Sequence, residues 1–147
     1  MTATVIGVGN PFRRDDGVGP AVVQAIGRLE RPGVTTALSD GEPSQLIEAW
    51  TGMDLAVVID AVRCDPAVPG RVHRTVSITA GAGQSSSHGL GIPEAVELAR
   101  VLDLLPGRLV VYAVEAGSVD FGTGLSSAVA AAVPTVVAAV LRELDSA

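Results

Sequence analysis

Residues 3–29, ATVIGVGNPFRRDDGVGPAVVQAIGRL, constrain the fold more than any other stretch of the chain. Residues 4–8 are a short, apolar, β-branched run, the pattern of a buried strand. Gly7, Gly9, Asn10 and Pro11 break that run. A helical pattern then starts near Gly17 and sets Val18, Val22, Ile26 and Leu29 on one stripe. Strand, glycine turn and helix are the opening of an α/β domain, and Asp15 and Asp16 stand just before the helix.

A nucleotide site fits this opening poorly. The dinucleotide fingerprint needs a third glycine three residues after the second, and position 12 is Phe. A phosphate also needs the positive end of the helix for itself, where Asp15 and Asp16 would repel it. The loop suits a cation, or chemistry that uses carboxylates. Asp15 taken singly also reads as a helix cap; a cap requires one side chain, not two.

The remaining chain continues the β-α order. Residues 34–38 read as a second strand and 44–50 as a short helix closed by Gly52. Residues 55–59 are a continuous apolar strand of the kind buried on both faces of a parallel sheet, ending at Asp60. Residues 71–78 alternate as a half-exposed strand, 92–105 read as a helix with Ala95, Val96, Leu98, Ala99 and Leu102 inward, and 108–114 as a strand ending at Glu115. The closing helix spans 126–144, with Pro134 predicting a kink. The expected class is α/β: a three-layer α/β/α sandwich around a mostly parallel central sheet of about five strands, of the phosphorylase/hydrolase-like kind, in a single domain over 1–147.

Composition narrows the partners. The net charge is −6 with no basic cluster, which argues against nucleic acid and anionic membrane. The single Cys64 excludes an internal disulfide and a multi-cysteine zinc site. Residues 4–8 are too short for a secretory signal and lack a basic leader. The apolar run 128–141 carries Pro134 and is shorter than a membrane span. A soluble, cytoplasmic protein is expected.

In parallel sheets ligands bind beyond the carboxyl ends of the strands. Residues 9–16 follow the first strand, Asp40 the second, and Asp60 ends the third, so all three should open onto one rim. His88 sits in residues 79–91, TAGAGQSSSHGLG, a glycine- and serine-rich loop long enough to cover that rim. Asp16, Asp60 and His88 together would offer two carboxylates and an imidazole, a set able to bind a borderline divalent cation with open positions. Each has a plainer reading: Asp60 as a turn cap, His88 as a loop histidine. His73 reads as structural, and Glu42 and Glu115 either border the site or are solvated. Cys64 with His88 as base would make a cysteine hydrolase, but no nearby charge lowers the thiol pKa and Asp65 raises it.

At these residues the chain resembles the nickel–iron hydrogenase maturation proteases. GVGNPFRRDDGVGPAVV is similar to their G-x-G-N, four residues, D-(D/E)-x-x-G signature. SDGEPSQLIE, VVIDAVRCDPAVPG, SSSHGLGIPEAVELAR and YAVEAGSVDFGTGLSSAVAAAVPTVVAAV are similar to further family segments in the same order. The resemblance implies an endopeptidase that removes a C-terminal extension from the large subunit of a nickel–iron hydrogenase precursor after nickel insertion. It implies Asp16, Asp60 and His88 as metal-holding residues and Asp40 as a further functional residue of an aspartate-rich site. Two chemistries stay open: the metal polarises the carbonyl or activates water, or Asp16 or Asp40 is the catalytic carboxylate acting as general base. Asp16 stands where many members carry Glu, so it must approach the metal more closely. The nickel is expected to arrive with the substrate rather than reside as a cofactor. The rival readings are a cysteine peptidase or nucleoside-processing hydrolase on a similar sheet, and a metal-dependent binding module or chaperone that holds a metalloprotein precursor without cutting it; a dinucleotide-binding oxidoreductase fragment ranks last.

Overall fold

The computed structural model describes residues 1–76 and 91–146. Five strands form one sheet in the order β2-β1-β3-β5-β4. They are β1 (Ala3–Val8), β2 (Val34–Ser39), β3 (Leu55–Val62), β4 (Val72–Val76) and β5 (Arg108–Glu115). β2, β1, β3 and β5 run parallel, and β4 is an antiparallel edge on β5. The helices are α1 (Val18–Gly27), α2 (Pro43–Trp50), α3 (Gly91–Leu102) and α4 (Ser127–Asp145), with a single 3-10 turn, Arg14–Gly17, ahead of α1.

Alternation along the central strands divides the core in two. Val5, Val57, Ile59, Val110, Tyr112 and Val114 face α1 and α4. Ile6, Val8, Ala56, Val58, Leu109 and Val111 face α2 and α3, with Trp50 and Leu46 fully buried among them. Every residue of β1 is buried, as a strand covered on both sides requires. The edge strands β2 and β4 are largely exposed. The three-layer α/β/α sandwich is therefore the observed architecture.

Some boundaries differ from expectation. α1 ends at Gly27, so Leu29 falls past its last turn and is half exposed rather than in the core stripe. β3 runs two residues beyond Asp60, which lies inside the strand opposite Ala113. α3 buries Ala95 and Ala99, but Leu98 and Leu102 point to solvent. The small alanines let this helix sit close on α2, and that rotation turns the larger leucines outward. α4 is continuous through Pro134, and its 19 residues are long and apolar enough to cross a membrane, contrary to the shorter run read from sequence. In this fold its stripe of Val129, Ala132, Val136, Val140 and Leu144 is spent on the core. Glu143 near its end accepts from Arg74 Nε at 2.7 Å and from the Tyr112 hydroxyl at 2.9 Å, pinning α4 to β4 and β5.

The contact of α1 with β1 and β3 depends on two glycines. A Cβ at Gly19 would lie 2.5 Å from the Ile59 carbonyl oxygen and 2.7 Å from the Val8 nitrogen. A Cβ at Gly7 would lie 2.5 Å from the Gly19 carbonyl oxygen. Backbone meets backbone here, and no side chain can yield. Gly19→Ala is expected to destabilise the fold by about 1–3 kcal/mol through overpacking. Gly27→Ala, whose nearest neighbours would be 3.8 Å away, is expected to be neutral or to stabilise by up to about 1 kcal/mol. Urea unfolding of both variants checks the contrast.

Candidate active site

In the sheet order, β1 and β3 are the neighbours between which the chain reverses direction across the sheet. A crevice opens outside the carboxyl ends of strands at such a point. Here it is a cleft of about 690 Å³. Asp16, Asp40 and Asp60 all line it, so three of the four residues singled out in the sequence come together. His88 lies outside the described residues. Among the described residues no three His, Cys, Asp or Glu side chains form a ready metal-holding group.

Each carboxylate is placed by a different device. Asp16 follows the glycine turn, where Gly9 has a φ of +137° and a Cβ would lie 1.9 Å from the Asp16 carbonyl oxygen. Only glycine fits there. The Asn10 backbone N–H then donates to Asp16 Oδ2 at 2.8 Å, fixing the carboxylate over the turn. Asp60 belongs to β3 and is nearly fully buried. Alternation puts it on the same face as Ala56 and Val58, toward α2 and α3. Asp40 directly follows β2, is exposed, and accepts from the Glu42 N–H at 3.0 Å. Its turn is held against the start of α3, because a Cβ at Gly91 would lie 1.4 Å from the Gly41 carbonyl oxygen.

Glu42 borders the cleft as well, as the N-cap of α2. The Ser44 hydroxyl and the Ser44 N–H both donate to it and hold its pKa below the usual glutamate value. Sequence reasoning missed Arg13, Arg63 and Glu94, which also line the cleft. Arg63 was findable, since it follows immediately on β3 at the same rim. The cleft is thus mainly acidic, with two arginines among its lining residues, and suits a cation or a polarised backbone carbonyl better than a phosphate.

Asp15 has another role. Its carboxylate is fully buried and accepts from the Gly117 N–H at 2.7 Å, the Ser118 N–H at 3.2 Å, the Ser126 N–H at 2.7 Å and the Ser126 hydroxyl at 2.9 Å. Burial pushes its pKa up, and the hydrogen bonds from Ser126, Gly117 and Ser118 together overcome that, leaving it below the ordinary aspartate value. Asp15 is therefore neither a helix cap nor a cleft residue. It clamps residues 117–126 to the turn that carries Asp16.

Glu115 and Cys64 lie away from the cleft. Glu115 is buried, accepts from the Val68 N–H at 2.8 Å and pairs with His73 Nε2 at 2.7 Å, so His73 is engaged with Glu115 outside the cleft lining. Burial first, and the Glu115 carboxylate second, push the Cys64 thiol up, so its thiolate is disfavoured.

The family model for hydrogenase maturation protease matches residues 22–143, a span that includes Asp40 and Asp60 and begins after Asp16. The Escherichia coli hydrogenase maturating endopeptidase HybD is similar in structure at a TM-score of 0.83 and 23% identity, over 99% of this chain and 93% of that one. The Thermococcus kodakarensis [NiFe] hydrogenase maturation protease HybD is similar at a TM-score of 0.76 and 23% identity, over 97% and 98%. No curated protein matches at the sequence level.

Replacing Asp15 by Ala strands the donors of Gly117, Ser118 and Ser126 and is expected to cost about 2–3 kcal/mol. Because the folded pKa is depressed, the wild-type contribution is fully present above the ordinary value of 3.8 and fades as pH falls below it. Denaturation from pH 7 down to pH 2 should show the stability gap between wild type and D15A narrowing only in the acid range.

Proposed function

The chain belongs to the hydrogenase maturation protease family and is a peptidase of hydrogenase maturation, and we propose that it removes a C-terminal extension from the large subunit of a nickel–iron hydrogenase precursor, in the cytoplasm, once nickel has been inserted. The observation that carries this reading is the convergence on one cleft of Asp16 from the turn after β1, Asp40 from the turn after β2 and Asp60 from within β3.

Nickel in this reading is part of the substrate. Asp16, in the turn after β1, and Asp60, within β3, supply hard oxygen donors, and His88 supplies the borderline nitrogen that suits nickel. Only a loaded precursor gains these bonds, which makes cleavage conditional on nickel. Asp60 sits on a central strand and Asp16 is held by Asn10, so both are preorganised to meet an ion whose position the precursor fixes. Asp40, exposed at the cleft mouth, is the carboxylate free to take a proton from an attacking water while the scissile carbonyl lies beside the acidic wall. The thiol route is disfavoured by the position and protonation of Cys64.

Loss of an outer partner of a metal ligand costs about 10–100-fold in affinity or activity. Loss of a ligand should cost no less, so Asp16→Ala, Asp60→Ala and His88→Ala are each expected to slow trimming of nickel-loaded precursor by at least about 10-fold. Cys64→Ser should trim at the wild-type rate. Mass spectrometry of the large subunit before and after incubation measures both; near-normal trimming by all three ligand variants would remove the proposal.

A further inference from the structure

The chain has four aromatic side chains: one Trp, one Tyr and two Phe. Trp50 and Tyr112 are buried, whereas Phe12 and Phe121 are 65% and 83% exposed. The two exposed rings occupy loops that are laced together. The Gly122 N–H donates to the Phe12 carbonyl at 2.9 Å, and the Arg14 N–H to the Gly122 carbonyl at 3.0 Å. Arg13 Nε donates to the Val119 carbonyl at 2.9 Å, and its guanidinium lies 5.7 Å from the centre of the Phe121 ring. The Asp15 clamp closes the same pair of loops from beneath. Two large rings are thus presented to solvent on a braced support, as preorganised binding anchors are.

These loops form a wall between two cavities. Gly9, Arg13, Asp16 and Val119 face the acidic cleft. Pro11, Arg14, Gly17, Gly124 and Leu125 face a second groove of about 800 Å³, which runs down α1 to the outer strand β2. Phe12 lies between Pro11 and Arg13 in the chain, and Phe121 between Val119 and Gly124, so the segments that carry the two exposed rings contribute walls to both cavities. The groove is apolar, with Pro20, Ala21 and the 66% exposed Leu38 among its walls. Among the described residues Arg14 is its one ionisable lining residue.

We infer that Phe12, Phe121 and the adjoining groove dock an apolar segment of the polypeptide substrate that carries a carboxylate, beside the bond held in the cleft. The inference rests on the protease reading. Charge selects this occupant: on a chain of net charge −6 the groove offers one arginine and no carboxylate, while the cleft offers Asp16, Asp40, Glu42, Asp60 and Glu94. A second copy of this chain would bring another six negative charges. Continuity selects it too, because a polypeptide reaching the cleft over the Phe wall enters the groove.

The test uses the full chain and, as probe, the fluorescently labelled nickel-loaded large-subunit precursor of the same organism's nickel–iron hydrogenase. The double variant Phe12→Ser/Phe121→Ser and the single variants Leu38→Ser and Arg14→Glu are compared with wild type by anisotropy, with melting curves to verify folding. The double variant should raise Kd at least tenfold, and Leu38→Ser and Arg14→Glu should each raise it at least threefold. Values within twofold of wild type for well-folded variants overturn the inference. So does a wild-type dimer in sedimentation that the variants turn into monomers with Kd unchanged, which would assign the surface to a second copy. Trimming is scored separately by mass: a wild-type chain that binds the precursor without cutting it refutes the protease reading, and the Kd comparison still decides the docking surface.

Discussion

Asp15 holds together the part of the molecule on which its chemistry depends. An ionised carboxylate with no solvent contact costs several kcal/mol by itself. Three backbone N–H groups and one hydroxyl, all from residues 117–126, offset that cost. The bond is therefore one between distant parts of the chain: the turn after β1 and the approach to α4. Ser126, the N-cap residue of α4, gives both its N–H and its hydroxyl to Asp15, so the start of the closing helix is fixed by an aspartate near the N-terminus. The neighbouring Asp16 inherits a rigid backbone from this arrangement, and the loops bearing Phe12 and Phe121 inherit the same frame.

A second constraint places that frame over the sheet. Gly7 and Gly19 bring α1 within backbone contact of β1, and Gly19 also meets the Ile59 carbonyl of β3. Ile59 is the residue before Asp60. The close crossing thus sets the distance between the turn that carries Asp16 and the strand that carries Asp60. A bulkier residue at either glycine would separate the two carboxylates as well as strain the core. Fold and site are coupled through the same few ångströms of backbone.

The layers, the parallel order and the rim location of Asp16, Asp40 and Asp60 were legible in the sequence. Buried strands are written as unbroken apolar runs, and the carboxyl-end rule converts strand ends into a site. What escaped was whatever depends on neighbours. Leu29, Leu98 and Leu102 satisfy the helical period but lie outside, because Gly27 ends α1 early and Ala95 and Ala99 set the face of α3. Asp60 sits within its strand because β5 continues alongside it as far as Glu115. The role of Asp15 was illegible, since its partners lie about a hundred residues away and three of its four hydrogen bonds come from backbone N–H groups that carry no sequence signal. Arg13 and Glu94 reach the cleft by loop and helix placement, which no spacing rule encodes.

The acidic side chains divide into two kinds, and the division bears on which of them can act. Glu143 is spent on Arg74, Tyr112 and Arg108, and Glu115 on the Val68 N–H and His73. These contacts hold both pKa values below the ordinary range, chiefly through Arg74 for Glu143 and through the Val68 N–H for Glu115. Their stabilisation is present at neutral pH and is lost only in acid. Such groups tie the antiparallel edge and α4 to the sheet and have little capacity left for a ligand. Asp16 and Asp40 differ: among the described residues each side chain accepts one backbone N–H, from Asn10 and Glu42 respectively. An ionised carboxylate has about four acceptor sites. One bond orients each group, and both residues line the cleft. Carboxylates that are oriented without being saturated are what the proposed metal-bearing substrate would need, and Asp16 and Asp40 meet that need at the rim between β1, β2 and β3.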